Sequence, residues 1–225
     1  MMNPILKRTL TGLAVGAVVI CAALFSPLWA IYVACALLFG CVTLEYVQLL
    51  RRKVALGSLV GLLALLAALP AFAAMFLALA YIAARYGNVM LLYIIAVVKF
   101  SDVGGFAVGL TSNRLMKGGN HKMCPSVSPN KSWEGMAGSV LFSCVVSLAF
   151  MPATGIGAGF ALALGVLAAF VGTAGDLVES KFKRWVGVKD SSAMKITNGM
   201  GGFLDMFDSM LFAPAAILLA LRFFA

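Results

Sequence analysis

The chain has 225 residues, of which 63% are hydrophobic and 11% are charged, and its mean hydropathy is +1.04 with a formal net charge of +9. That composition excludes a water-soluble domain. Runs of about 20 apolar residues are long enough to cross a bilayer, and strands of a membrane barrel would alternate polar and apolar residues, which these runs do not. The sequence therefore predicts an all-α, polytopic integral membrane protein.

The predicted membrane spans are apolar runs with the bounds 9–26, 28–49, 54–84, 88–110, 135–153, 156–178 and 203–224. We interpret the first as a transmembrane helix rather than a signal peptide, because the next apolar run follows almost at once. The third is long and contains Pro70, so it forms either one kinked helix or two short ones. We expect about seven or eight helices in a single membrane domain, residues 1–225.

Two polar, basic segments separate the later spans. They run from Thr111 to Glu134 and from Glu179 to Gly202, and they hold nine of the 17 Lys and Arg residues. Positive charge in short loops favours the cytoplasmic side. Two spans lie between the segments, so both are expected at the cytoplasmic face. The basic triplet at 51–53 joins them there only if the run 54–84 crosses the membrane once.

Seven of the eight acidic residues border these basic segments, and they are Asp102, Glu134, Asp176, Glu179, Asp190, Asp205 and Asp208. Acids near membrane depth are costly and indicate a functional site. Asp205 and Asp208 are three residues apart and are expected on one helix face. Helix-dipole complementarity explains acids in a first helical turn, but it cannot explain Asp176 near a C-terminal end. Glu179 lies four residues before Lys183 and is expected to pair with it.

Clustered carboxylates repel one another unless a cation lies among them, and Mg²⁺ prefers oxygen ligands while leaving room for substrate phosphates. The glycines at 199, 201 and 202 precede the acid pair and would let backbone N–H groups approach a phosphate. Nearby lysine and arginine side chains supply further charge for phosphate oxygens. Together these features favour phosphoryl or nucleotidyl chemistry at a membrane surface. An ion-coupled transporter with intramembrane acids is the alternative from another class.

Two long motifs resemble the phosphatidate cytidylyltransferase (CDP-diacylglycerol synthase) family. In the second motif the matching residues are Ser180, Lys183, Arg184, Lys189, Asp190, Gly199, Gly201, Gly202, Asp205 and Asp208. In the first they are Asp102, His121, Lys122, Pro125, Ser128, Pro129, Lys131, Trp133, Glu134 and Gly135. The resemblance covers most of 88–225, which would be the catalytic half. Residues 1–87 would be N-terminal helices, shortened relative to the family.

The resemblance implies synthesis of CDP-diacylglycerol and pyrophosphate from CTP and phosphatidate, at the cytoplasmic face of the inner (plasma) membrane. Its implied catalytic residues are Lys183, Arg184, Lys189 and Asp190. Its implied substrate-binding residues are Ser128, Pro129, Lys131, Ser180, Gly201 and Gly202. Asp176 and Asp205, with Asp208 near them, would hold Mg²⁺, alone or with a second cation. Membrane lipids and a second copy in a homodimer are the other implied partners, and no nucleic acid is expected.

The sequence departs from the family pattern in three places. Met200 and Met206 replace a common histidine and a common arginine, and the segment 191–198 is slightly longer than usual. A degenerate relative that acts on another lipid phosphate is therefore a further alternative.

Overall fold

A computed structural model describes residues 20–189, 191 and 202–224. Besides a helical stretch at 20–25, the helices in this part of the chain are α1 (Leu28–Arg51), α2 (Leu59–Tyr86), α3 (Asn88–Leu115), α4 (Trp133–Ala149), α5 (Met151–Thr154), α6 (Ala158–Val186), α7 (Phe203–Phe207) and α8 (Ala213–Phe224). A short antiparallel hairpin, β1 (Lys122–Cys124) and β2 (Ser128–Ser132), lies between α3 and α4. The predicted all-α membrane fold is confirmed apart from this hairpin, which forms within the predicted polar segment Thr111 to Glu134.

Four helices, α1, α2, α3 and α6, are long and apolar enough to cross a membrane, while α4 and α8 are apolar but shorter. The run that contains Pro70 forms one continuous helix, α2. Most of the predicted first span, 9–26, lies outside the described residues, which show helix from 20 to 25. The chain is a multi-pass membrane protein, and the total of seven or eight spans stays a prediction.

Two helix ends depend on glycines in backbone conformations that other residues adopt only with strain. Gly87, at φ 85°, ends α2 and leads directly into α3. Gly187, at φ 86°, ends α6, and its N–H donates to the carbonyl oxygen of Lys183. Such left-handed glycines are common helix terminators. As a result α6 extends eight residues beyond the predicted end at Val178, and Glu179, Lys183 and Arg184 are helical.

The predicted last span, 203–224, is wrong as a single helix. Helix α7 ends after five residues, a turn covers 208–212, and α8 then begins. Pro214 explains the break, because proline has no N–H to donate and its ring clashes with the carbonyl four residues earlier. Asp205 therefore lies within α7 and Asp208 at its C-terminal cap. Asp208 keeps helical backbone angles, φ −53° and ψ −52°, so the expectation that both acids share one helix face stays a prediction.

The number of helices that cross the membrane determines the side on which each helix ends. If α1, α2, α3 and α6 each cross once, and the shorter α4 crosses as well, then Arg51, the hairpin and the C-terminal end of α6 lie on one side of the membrane. On the same condition the basic triplet at 51–53 would lie on the side of both basic segments, as expected for a single crossing by α2. That this side is the cytoplasmic one stays a prediction from charge.

Small residues hold α3 against α4. A Cβ atom on Gly104 would lie 2.5 Å from the Gly138 carbonyl oxygen, and one on Gly138 would lie 2.6 Å from that of Gly104. Close backbone contact through small residues is a common way to pack helices in membranes. This contact fixes the hairpin, which precedes α4, beside the C-terminal half of α3.

We expect Gly138→Ala to destabilise the protein by about 1–3 kcal/mol, because the added methyl group overpacks the contact between α3 and α4. Gly40→Ala is the matched control, since Gly40 is also helical but has no atom within 4 Å of the added Cβ. Thermal unfolding in detergent measures both. Equal melting temperatures for the two variants would contradict this account of the interface.

Candidate functional site

Three carboxylates converge at the C-terminal part of α6. Asp176, Glu179 and Asp208 each place one oxygen within 4.8 Å of the others. Asp176 and Glu179 are three residues apart on α6 and so share a face, while Asp208 comes from the turn after α7. We call these three residues the acid cluster. Its donor set, carboxylate oxygens only, fits a hard divalent cation such as Mg²⁺ or Mn²⁺.

The turn that carries Asp208 packs directly on the backbone of α6. A Cβ atom added at Gly175 would collide with the carbonyl oxygen of Asp208, and Gly172 lies against Ser209. The N–H of Ser209 donates to Asp208 Oδ1 over 2.6 Å. The lack of a side chain at Gly175 is therefore what allows Asp208 to reach Asp176.

The hairpin brings a basic side chain to the acid cluster. Lys131, on β2, lies with its Nζ 2.5 Å from Asp176 Oδ2 and donates to the Thr173 carbonyl oxygen over 3.3 Å. Asn120 anchors the hairpin, since its amide donates to Gly109 of α3 and to Ser132 at the end of β2. Lys131 of the first motif thus contacts Asp176, one of the predicted metal ligands.

A polar cavity of about 230 Å³ opens beside this contact. Ser128, Lys131, Asp102, Thr173 and Asp176 line it, among other residues. The cavity therefore contains two of the predicted substrate-binding residues and one predicted metal ligand. Pro129, also predicted to bind substrate, is exposed and is not among the residues that line the cavity.

Asp205 has different partners from Asp208. Its Oδ1 is 2.6 Å from Lys183 Nζ, and its Oδ2 accepts from the N–H groups of Ser191 and Gly202 at 3.0 Å each. Burial raises the pKa of Asp205, but the hydrogen bonds from Lys183, Gly202 and Ser191 outweigh burial and lower the pKa to about 2. Asp205 is thus charged, and its carboxylate is bound by Lys183 and by two backbone N–H groups rather than by the acid cluster.

Lys183 links Asp205 to the acid cluster, because its Nζ is also 2.7 Å from Glu179 Oε2. The expected pairing of Glu179 with Lys183 is confirmed. Lys183 is mostly buried, with 13% of its side chain exposed, whereas Arg184 and Lys189 are exposed. Lys183 therefore faces two carboxylates, whereas the predicted catalytic residues Arg184 and Lys189 extend into open surroundings.

Glu45 of α1 positions α7 from the opposite side. Its carboxylate is fully buried and accepts from the Leu204 N–H over 2.7 Å. An added Cβ at Gly202 would collide with the same carboxylate. Glu45 lies outside the two motifs and 160 residues before Asp205 in the chain, so motif spacing alone could not assign it this contact.

Glu134 belongs to a separate, exposed pair. Its Oε1 is 2.6 Å from His121 Nδ1, and the His121 N–H also donates to it. The hydrogen bond from the His121 side chain and those from backbone N–H groups lower the pKa of Glu134 to about 2. The His121 side chain is 77% exposed, so this pair is a surface contact.

The remaining predicted site residues are distributed as follows. Ser180 is half-buried on α6. Gly202 uses its N–H on Asp205. Asp190 and Gly201 lie outside the described residues. The sequence interpretation missed Glu179 as a member of the acid cluster, although its spacing from Asp176 would have indicated it. It also missed Lys99 of α3, which donates to Met206 and Ser209.

An apolar groove adjoins the acid cluster on the side of α1 and α2. It has a volume of about 320 Å³, and alanines of α2 and aromatic side chains form most of its walls. Glu179 and Leu204 line it as well. Glu179 thus faces both the acid cluster and an apolar space.

Comparison with known proteins identifies the family. The model of the Cytidylyltransferase family matches residues 60–224. Proteins named phosphatidate cytidylyltransferase are similar over part of the chain. Those of Staphylococcus saprophyticus and Staphylococcus aureus are 41% and 40% identical over 124 residues, which is 54% of this chain and 45% of each relative. That of Mycobacterium bovis is 41% identical over 126 residues, or 55% of this chain and 37% of the relative.

The chain aligns with less than half the length of these curated relatives. The family match nevertheless spans α2 to α8, including the acid cluster, the hairpin and both sequence motifs. On that match, the chain belongs to the cytidylyltransferase family.

Proposed function

We propose that this protein transfers the cytidylyl group of CTP to phosphatidate, which gives CDP-diacylglycerol and pyrophosphate. The observation that carries the proposal is the acid cluster, formed by Asp176, Glu179 and Asp208 beside Lys131 of the hairpin. Membership of the cytidylyltransferase family and the names of the similar proteins support it. The polar cavity and the adjoining apolar groove fit a reaction between a water-soluble nucleotide and a lipid.

In this reaction a phosphate oxygen of phosphatidate attacks the α-phosphorus of CTP. The bond from that phosphorus to the oxygen bridging to the β-phosphate breaks, and pyrophosphate leaves. Asp176, Glu179 and Asp208 would hold Mg²⁺, which when bound neutralises charge on the transferring phosphates. Such transfers depend mainly on positioning and on charge neutralisation.

Basic side chains would bind the anionic substrates. Lys131 and Ser128 line the polar cavity and would contact the CTP phosphates, with Lys131 leaving Asp176 to do so. Arg184 and Lys189 are exposed at the end of α6 and stay predicted phosphate ligands. Lys183 would instead hold Glu179 and Asp205 in place, as its two ion pairs suggest. Asp205 stays a predicted metal ligand that would have to exchange Lys183 for the ion.

The inner membrane, the cytoplasmic side and the homodimer remain part of the proposal. Nine basic residues in the two polar segments support the cytoplasmic side. The division into N-terminal helices 1–87 and a catalytic half 88–225 fits the position of the acid cluster, whose members all come from the second part.

Purified protein with labelled CTP, phosphatidate and Mg²⁺ should form a lipid-soluble labelled product. We expect Asp208→Asn to lower kcat by at least 100-fold, because it removes one carboxylate of the cluster. Lys117→Met, at an exposed position outside the site, is the control and should keep most of the activity. No product from the wild-type protein would reject the reaction. Transport of substrate into proteoliposomes without product would favour the transporter instead.

Asp205→Asn should destabilise the protein at pH 7, because the folded state lowers the pKa of this carboxyl group from 3.8 to about 2. That shift corresponds to about 2 kcal/mol, and screening by solvent reduces the effect below this value. A lowered pKa stabilises the folded state above pH 3.8, and this contribution is lost as the pH falls towards 2. The difference in melting temperature between wild type and variant should therefore shrink between pH 4 and the lowest pH at which the protein stays folded. A difference that is constant from pH 7 to pH 3 would show that Asp205 is not the charged partner of Lys183.

A further inference from the structure

Lys99 is a lysine near the middle of α3, a helix long and apolar enough to cross a membrane. An ammonium group at such a position is costly unless polar partners satisfy it. Its Nζ donates to the Met206 carbonyl oxygen over 2.8 Å and to Ser209 Oγ over 3.0 Å, and it lies 3.9 Å from Asp102 Oδ2. Lys99 is not among the site residues that the sequence motifs predicted.

The two hydrogen bonds bracket Asp208. Met206 lies before it and Ser209 after it in the chain, and the N–H of Ser209 donates to Asp208 Oδ1 over 2.6 Å. Ser209 is fully buried. On the other side, Gly172 and Gly175 of α6 pack against Ser209 and Asp208. The turn is therefore clamped between the α6 backbone and the Lys99 side chain.

We propose that Lys99 is a positioning residue for the acid cluster: it holds the turn 206–209 so that the Asp208 carboxylate stays within reach of Asp176 and Glu179. Lys99 acts through the turn and does not itself contact a substrate or an ion. This inference rests on the proposed function, because it assumes that the acid cluster holds a divalent cation.

The sign of the effect distinguishes positioning from simple charge. If Lys99 only adds positive charge near the acid cluster, then removing that charge strengthens cation binding. If Lys99 positions Asp208, then removing its hydrogen bonds weakens cation binding. Partners behind a metal ligand typically change metal affinity by about 10–100-fold.

The test is a titration of the purified full-length chain with Mn²⁺, without nucleotide, followed by electron paramagnetic resonance. We expect Lys99→Met to raise the Mn²⁺ dissociation constant by about 10-fold or more. Lys99→Gln keeps a donor group without the charge and should stay close to wild type. Lys117→Met, at an exposed position outside the site, is the control and should have no effect.

Ser209→Ala provides a second, independent variant if Lys99→Met does not fold. It removes one acceptor of Lys99 and should weaken Mn²⁺ binding, and the double variant with Lys99→Met should bind no more weakly than Lys99→Met alone. Unchanged or tighter Mn²⁺ binding by folded Lys99→Met, or unchanged binding by Ser209→Ala, overturns the inference while leaving the acid cluster intact. Wild-type protein that binds no Mn²⁺ overturns the acid cluster as a cation site and this inference with it.

Discussion

The arrangement depends on the cost of placing several carboxylates next to one another in a largely apolar helical protein. Asp176, Glu179 and Asp208 carry like charges and repel one another, and acids in a membrane protein are costly unless they are paired. The structure offsets this cost with lysines from three elements: Lys131 from the hairpin, Lys183 from α6 and Lys99 from α3. Each lysine contacts a carboxylate or the turn that carries one, so the helices that supply them must pack in one particular order.

Close packing through small residues explains why two motifs that are distant in the sequence form one site. The hairpin needs α3 and α4 in close contact, which Gly104 and Gly138 allow. The Asp208 turn needs α6 without a side chain at Gly175. Small residues therefore set the geometry of the polar groups, although they carry no chemistry themselves. An apolar groove lies on the opposite side of Glu179, so the site has one polar wall and one apolar wall.

Much of the architecture could be predicted from the sequence, because apolar length alone defines the membrane helices. The positions of Ser128, Lys131 and Asp176 around one cavity also follow the motifs. The different surroundings of Asp205 and Asp208 could not be predicted from their spacing, because they come from contacts with Lys183 and Asp176 that only the tertiary packing brings close. Lys99 and Glu45 act through backbone groups of a distant segment, and side-chain patterns carry no information on such contacts.

The missing side chain at Gly175 has a mechanical consequence. Because the Asp208 carbonyl rests directly on the α6 backbone, no intervening rotamer can widen or narrow the gap between α6 and the turn. The backbones of α6 and the turn are therefore in direct contact at the point where Asp176 and Asp208 approach each other. A larger residue at position 175 would push the turn away from α6, and with it the Asp208 carboxylate away from Asp176.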